Sequence, residues 1–181
     1  NQRNNFGLLK SLQRKLNIAR YNPKEIASEF EPIMKLDDIE NVRALKDEYK
    51  GKKIAVAKDG AFSFYYHSNF DLFEYSGLEI VEFSPVNDEK VPDGVDIIYL
   101  GGGYPELYGK ELSENKTMLE SIKKAFENNV KIYAECGGFI YLTKGITELD
   151  GNKFDYVGIF DIEIGMRNKL NIGRFGYINI E

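Results

Sequence analysis

Lys131-Ile-Tyr-Ala-Glu-Cys-Gly-Gly-Phe-Ile-Tyr-Leu142 runs a short apolar stretch into two glycines and then a helical pattern. A strand, a sharp turn and a helix in that order lift the turn residue above the edge of a sheet, with helix N-terminal amides directed at it. Cys136, the single cysteine of the chain, occupies that turn. It therefore reads as a candidate nucleophile. The competing reading is a small buried hydrophobe, the common fate of a free cysteine, and the surrounding sequence has to decide between them.

The 181 residues, 43% hydrophobic and 13% aromatic, suffice for one sizeable core. One domain with an arm is the expectation. A single cysteine excludes an internal disulfide framework, and no Cys/His cluster has metal-ligand spacing, so no metal site is expected. A reducing cytoplasm is the simplest setting. No apolar run is long enough to span a bilayer, and a net charge of -5 argues against nucleic acid as a partner. Residues 1–24 carry Arg3, Lys10, Arg14, Lys15, Arg20 and Lys24 and no acid. That basic start reads as a docking arm or interdomain linker, and the opening Asn1 suggests a trimmed piece.

Phe6, Leu9, Leu12, Leu16 and Ala19 share a helical face. A short helix follows from Pro23 through Phe30, and Asp37-Asp38 open a third whose Ile39, Val42, Leu45 and Tyr49 align before Gly51 stops it. Residues 1–50 thus read as a helical arm or interdomain linker, and residues 51–181 as a second domain. From Lys53 short apolar runs alternate with amphipathic helices: strands are expected at 54–57, 79–83, 96–100 and 130–134. A helix capped by Ser68-Asn69 and closed by Gly77 lies between the first two, and another covers 117–128 with Met118, Leu119, Ile122, Ala125 and Phe126 inward. Beyond Gly145, short strands at 154–164 and 174–180 read as hairpin additions. The fold class is α/β, a flavodoxin-like parallel sheet with helices on both faces, preceded by the arm.

In such sheets ligands bind outside the carboxyl ends of the strands. Three loops converge there: Asp59-Gly-Ala-Phe-Ser-Phe-Tyr-Tyr66, Gly101-Gly-Gly-Tyr-Pro-Glu106, and the turn at Cys136. A thiolate attacking an amide creates a tetrahedral oxyanion that needs preorganised donors. The amide of Gly137 and one from Gly102 or Gly103 fit that need, because glycine lets the backbone approach the substrate closely.

Ala55-Val-Ala-Lys-Asp-x-Ala-Phe-x-Phe-Tyr-Tyr-x-x-Asn69, Phe83-Ser-Pro85, Tyr99-Leu-Gly-Gly-Gly-Tyr-Pro-Glu-Leu107 and Tyr133-Ala-Glu-Cys-Gly-Gly-Phe-Ile-Tyr-Leu142 occur in that order. Together they resemble the glutamine amidotransferase domain of cobyrinic acid a,c-diamide synthases, and of the related enzyme that amidates nickel sirohydrochlorin. The resemblance runs from about residue 53 to 181 and leaves residues 1–50 unexplained. It implies a class I, triad-type glutaminase in which Cys136 attacks the side-chain amide of glutamine, forms a glutamyl thioester and releases ammonia. It further implies a separate synthetase domain or subunit that uses ATP and magnesium to activate carboxylates of a tetrapyrrole. No Gly-x-x-x-x-Gly-Lys-[Ser/Thr] segment occurs here, so that half is expected elsewhere. No cofactor is expected in this chain itself, and a homodimer is left open.

Two departures follow. Many class I amidotransferases carry glutamine four residues after the nucleophile, where this chain has Ile140. The family's catalytic histidine lies downstream of a segment like Arg174-Phe-Gly-Tyr177. The one histidine here, His67, falls in the first loop and reads as a surface or helix-start residue. The resemblance therefore implies a domain truncated at its C-terminus, a thiol without its base, nearly inactive alone. Two alternatives stay open: a noncatalytic interaction scaffold, and a stand-alone cysteine amidohydrolase. Tyr65, Tyr66 and Asn69 belong to the first motif and either face the ammonia exit or partner domain, or are stacked core groups. Glu106 either orients the substrate amine or caps a helix. Glu135 should point away from Cys136 and serve structural pairing. Arg167 and Arg174 read as glutamine-carboxylate ligands or as solvated charges.

Overall fold

The computed structural model describes residues 40–168. Two compact units divide at Arg43/Ala44; of the first, the described part is a helical turn, Glu40–Arg43. The expected helices over 6–19 and from Pro23 to Phe30, the strand over 174–180, and Arg174 lie outside the described residues.

The second unit is built on four strands: β1 (Lys53–Ala57), β3 (Glu79–Phe83), β4 (Ile97–Leu100) and β6 (Lys131–Ala134). They pair in parallel in the order β3-β1-β4-β6. Taken by their place in the chain, this is second, first, third, fourth, the flavodoxin-like order. Period-two alternation assigns the faces. Ile54, Val56 and Tyr99 pack with Leu78, Phe70 and Phe73, the two phenylalanines coming from α1 (His67–Tyr75). Ala55, Ala57, Ile98 and Leu100 pack with Leu112 of α2 (Gly109–Glu114) and with Met118, Leu119 and Ile122 of α3 (Lys116–Glu127). The sheet is covered on both faces, as its unbroken apolar strands require.

Helix α3 starts where Asn115 accepts the amide of Met118 at 3.3 Å. Met118 and Ile122 are fully buried, which contributes roughly 1.5–3 kcal/mol for each side chain. Phe126, expected inward, is half exposed. It repeats the angular position of Leu119, the outer flank of the stripe, in the last turn of the helix. Helix α1 ends as anticipated, with Gly77 at φ +85°. Its start differs: Tyr66 occupies the cap position without a side-chain bond, and Asn69 instead reaches the Tyr99 hydroxyl at 3.4 Å. The third arm helix, whose expected start at 37–39 lies outside the described residues, ends earlier than expected, at Arg43, with turns over 44–50. There the amides of Asp47 and Tyr49 donate to the Tyr75 and Ser76 carbonyls at 3.2 and 2.8 Å, and Asp47 adopts φ +56°. Those bonds to the end of α1 replace a continuing helix.

Two small sheets complete the unit. The first two loops of the carboxyl edge, 59–66 and 101–106, are partly ordered as β2 (Phe62–Phe64) and β5 (Gly102–Gly103), an antiparallel ribbon. After Cys136, α4 (Gly137–Tyr141) is only five residues long. Thr143 Oγ1 donates to the Ile140 carbonyl at 2.6 Å, and Val157 and Ile159 amides take the Tyr141 and Leu142 carbonyls. Those acceptors are lost to a longer helix, and the chain turns into β7 (Thr143–Thr147). The single expected strand over 154–164 is two, β8 (Lys153–Asp155) and β9 (Phe160–Gly165). Strands β7 and β8 form a hairpin, whereas β9 returns parallel to β7.

Candidate active site

The turn after β6 departs from regular geometry at one residue. The Glu135 amide prolongs the sheet pairing by donating to the Leu100 carbonyl at 2.9 Å. Cys136 then takes φ +47°, ψ -108°, a conformation that L side chains rarely adopt and that persists only where the surroundings impose it. Here the imposing contact comes from Gly138, whose amide donates to the carbonyls of Gly101 at 3.0 Å and Glu135 at 2.8 Å. A β-carbon at position 138 would lie 2.2 Å from the Leu100 carbonyl oxygen. Glycine alone lets the helix begin against the end of β4. The Cys136 thiol is exposed, and no hydrogen bond holds it among the described residues.

The glycine loop faces this turn. A β-carbon on Gly102 would stand 3.7 Å from that of Cys136, and one on Gly137 would stand 3.0 Å from the Gly103 amide nitrogen and carbonyl oxygen. Gly102, Gly103, Gly137 and Cys136 are therefore brought together as expected, backbone against backbone. Phe64 and Tyr104 meet edge to face at 5.1 Å beside them, each half exposed.

The other candidates separate. Tyr65 is a core group: its ring meets Phe70 and Tyr99 at 5.6 and 5.1 Å, and its hydroxyl donates to the Ala57 carbonyl and accepts the Gly101 amide at 3.0 Å. Burial raises its pKa, against a smaller lowering by the Gly101 amide, so the hydroxyl stays protonated. Tyr66 is three-quarters exposed. Glu106 is half-buried in the first turn of the 3-10 helix Pro105–Tyr108. His67 begins α1 on the surface, with Nε2 3.8 Å from Asp71 four residues on; Arg167 is exposed.

Glu135 lies on the α1 face, where it accepts the Tyr133 hydroxyl at 2.7 Å and the Tyr99 hydroxyl at 3.3 Å. These residues, with Asn69 and Phe73, line a cleft of ≈ 310 Å³ on that side. Clefts of ≈ 630 Å³ beside Glu89 and Lys116 and of ≈ 220 Å³ around Gly145 lie elsewhere. Cys136 lines none of these three. No group of three or more His, Cys, Asp or Glu among the described residues is disposed to hold a metal, and no described helix is long and apolar enough to cross a membrane.

Asp59, at the head of the first loop, carries a role that its motif does not assign. One carboxylate oxygen accepts the Ala61 and Phe62 amides at 2.8 and 3.1 Å, and the other accepts the Ser84 hydroxyl at 2.9 Å and the Val86 amide at 3.0 Å. It fixes the first loop and knots it to the loop after β3. The Asp-Gly pair directly after a strand was the available signal, since aspartate in a turn binds its own backbone two residues on.

Comparison with known proteins adds the following. A family model described as the CobB/CobQ-like glutamine amidotransferase domain matches residues 53–180. The chain is 52% identical over 136 residues to the cobyrinate a,c-diamide synthase of Fusobacterium nucleatum subsp. nucleatum, covering 75% of this chain and 30% of that protein. It is 48% identical over 139 residues to the cobyrinate a,c-diamide synthase of Caldanaerobacter subterraneus subsp. tengcongensis, covering 77% and 30%. The chain thus spans less than a third of the length of these relatives. A crystal structure from Listeria monocytogenes EGD-e described as a peptidase E protein superimposes with a TM-score of 0.43 at 17% identity, covering 65% of this chain and 67% of that one.

Proposed function

This chain belongs to the CobB/CobQ-like glutamine amidotransferase domain family, and we propose on that premise that it acts as a glutaminase with Cys136 as its nucleophile. The observation that carries the reading is the exposed thiol at φ +47°, turned out of the sheet edge opposite Gly102 and Gly103. The Cys136 sulfur attacks the side-chain amide carbon of glutamine, the carbonyl π electrons move to oxygen, and the oxyanion is met by the amides of Gly137 and of the Gly102–Gly103 strand. Collapse of the adduct breaks the C–N bond and leaves a glutamyl thioester; the nitrogen departs as ammonia after taking the proton that the thiol gave up. Water then cleaves the thioester to glutamate and restores the thiol. In sum, glutamine and water give glutamate and ammonia.

The ammonia serves a second body. The two relatives described above are cobyrinate a,c-diamide synthases more than three times as long as the matched region, which supports an ATP- and magnesium-using synthetase domain as partner. Its substrate would be a tetrapyrrole with peripheral carboxylates, cobyrinate or nickel sirohydrochlorin. Water protonates ammonia and removes its nucleophilicity, so the partner has to seat close to the thiol. Tyr66, Leu107, Phe64 and Tyr104, all at least half exposed on the same edge, offer an apolar rim for it.

The test is capture of Cys136 by a chloromethyl-ketone analogue of glutamine, read by mass spectrometry, together with glutamate release by the full-length protein. Both are expected, and both should vanish in Cys136→Ala. Glutamate release that survives Cys136→Ala would overturn the mechanism. An unlabelled Cys136 would leave the domain a docking scaffold.

A further inference from the structure

We propose that Tyr65 is a positioning residue for the oxyanion loop, setting where Gly101–Gly103 stands relative to Cys136; the proposal rests on the glutaminase reading above. Tyr65 lies directly after β2, the strand that pairs Phe64 with Gly102. Its hydroxyl bridges the carbonyl of Ala57, the last residue of β1, and the amide of Gly101, the first residue past β4. Those two strands are neighbours at the point where the sheet order reverses. A single phenol therefore ties both strand ends and, through Gly101, the start of the glycine loop.

The ring does the rest. A β-carbon on Gly101 would come within 2.3 Å of it, so the loop is packed directly against the hydroxyl end of the ring. From the other side the Gly101 carbonyl accepts the Gly138 amide. Gly101 is thus held twice: its N–H by Tyr65 and its C=O by the helix that follows the thiol. The two bonds fix the peptide planes on either side of Gly101; rotation about that residue would shift Gly102 and Gly103 together, and a displacement of about 1 Å in a catalytic group suffices to lose roughly 100-fold in rate. The phenol is protonated, as its burial demands, and so it donates and accepts at once. Phenylalanine keeps the ring packing and loses both bonds.

The experiment compares two thiol reagents on the unmodified protein, Tyr65→Phe and Gly101→Ala. The chloromethyl-ketone analogue of glutamine needs its carbonyl polarised by the oxyanion donors before chloride leaves; iodoacetamide needs only an accessible thiolate. Tyr65→Phe is expected to slow capture by the ketone roughly 10- to 100-fold, to leave alkylation by iodoacetamide within about twofold, and to raise hydrogen exchange at the Gly101 amide. In turnover, kcat should fall with little change in KM. Gly101→Ala, which displaces the ring with the hydroxyl intact, should give the same pattern. Equal slowing of both reagents, or slowing of neither, overturns the proposal and leaves the glutaminase reading standing. Failure of the ketone to label the unmodified protein while iodoacetamide does so overturns both.

Discussion

Gly138 donates its amide to the carbonyl of Gly101 at 3.0 Å, so the helix after the thiol is bonded to the loop that faces it. Two glycines of this site should respond differently to an added methyl group. Gly138→Ala would drive a β-carbon to 2.2 Å from the backbone oxygen of Leu100, where nothing flexible can yield; a loss of about 3 kcal/mol or more is expected in chemical denaturation. At Gly102 the nearest contacts are 3.3 and 3.7 Å, to Phe64 and Cys136. Gly102→Ala should keep its melting temperature within a few degrees while slowing capture of Cys136 by the glutamine analogue. A large stability loss at Gly102 would contradict the geometry.

Asp59→Ala removes an acceptor that serves three amides and one hydroxyl in two separate loops. Bonds to a charged acceptor are stronger than neutral ones, and the expected loss is roughly 2–3 kcal/mol. Urea denaturation measures it. Indifference to the substitution would show that the two loops hold themselves in place.

Two buried tyrosines on one contact separate by their hydroxyls. Tyr141 and Tyr156 meet at 5.4 Å, but the Tyr156 hydroxyl donates to the Pro105 carbonyl at 2.9 Å, whereas that of Tyr141 finds no acceptor among the described residues. Tyr141→Phe should therefore stabilise the protein by up to about 1 kcal/mol, and Tyr156→Phe should destabilise it by about 0.5–1.5 kcal/mol. Thermal melts of the two variants should move in opposite directions.

Alkaline pH should unfold the domain. Burial raises the pKa of Tyr65, Tyr99, Tyr141 and Tyr156, and the bond to Glu135 raises that of Tyr133. For each, the folded state holds its proton more tightly than the unfolded chain does. The linked stability is present in full below the unfolded value near 10 and is lost as pH rises above it. Tyrosinate absorbance should show a late phase coincident with loss of circular dichroism. A single phase at the ordinary value, with the fold intact, would refute this.

Much of the fold is written locally. The runs at 54–57, 79–83, 97–100 and 131–134 appear as strands in the sheet because β-branched and apolar residues in short blocks, alternating with amphipathic helices, admit few other arrangements. The candidate site was legible for the same reason: Cys136 between a strand and two glycines is a local signal, and the Gly101–Gly103 loop sits where the carboxyl edge of a parallel sheet puts it. Phe126 shows the limit, since helical spacing assigns it a face but not the distance to which the sheet extends beneath it.

By itself, then, the sequence determined the strand and helix succession and the glycine-flanked thiol, features whose causes lie within a few residues of one another. The tertiary structure alone decided the rest: that Phe62–Phe64 would find Gly102–Gly103, that β9 would return parallel to β7, that Asp59 would reach Val86, and that Tyr65 would turn inward to bridge two strand ends. Each of those outcomes joins groups distant in the chain, through a side-chain reach or a loop closure that no local spacing encodes. The lone cysteine became a candidate nucleophile through its local pattern, but the loop opposite it acquired a position only when the chain closed around Tyr65.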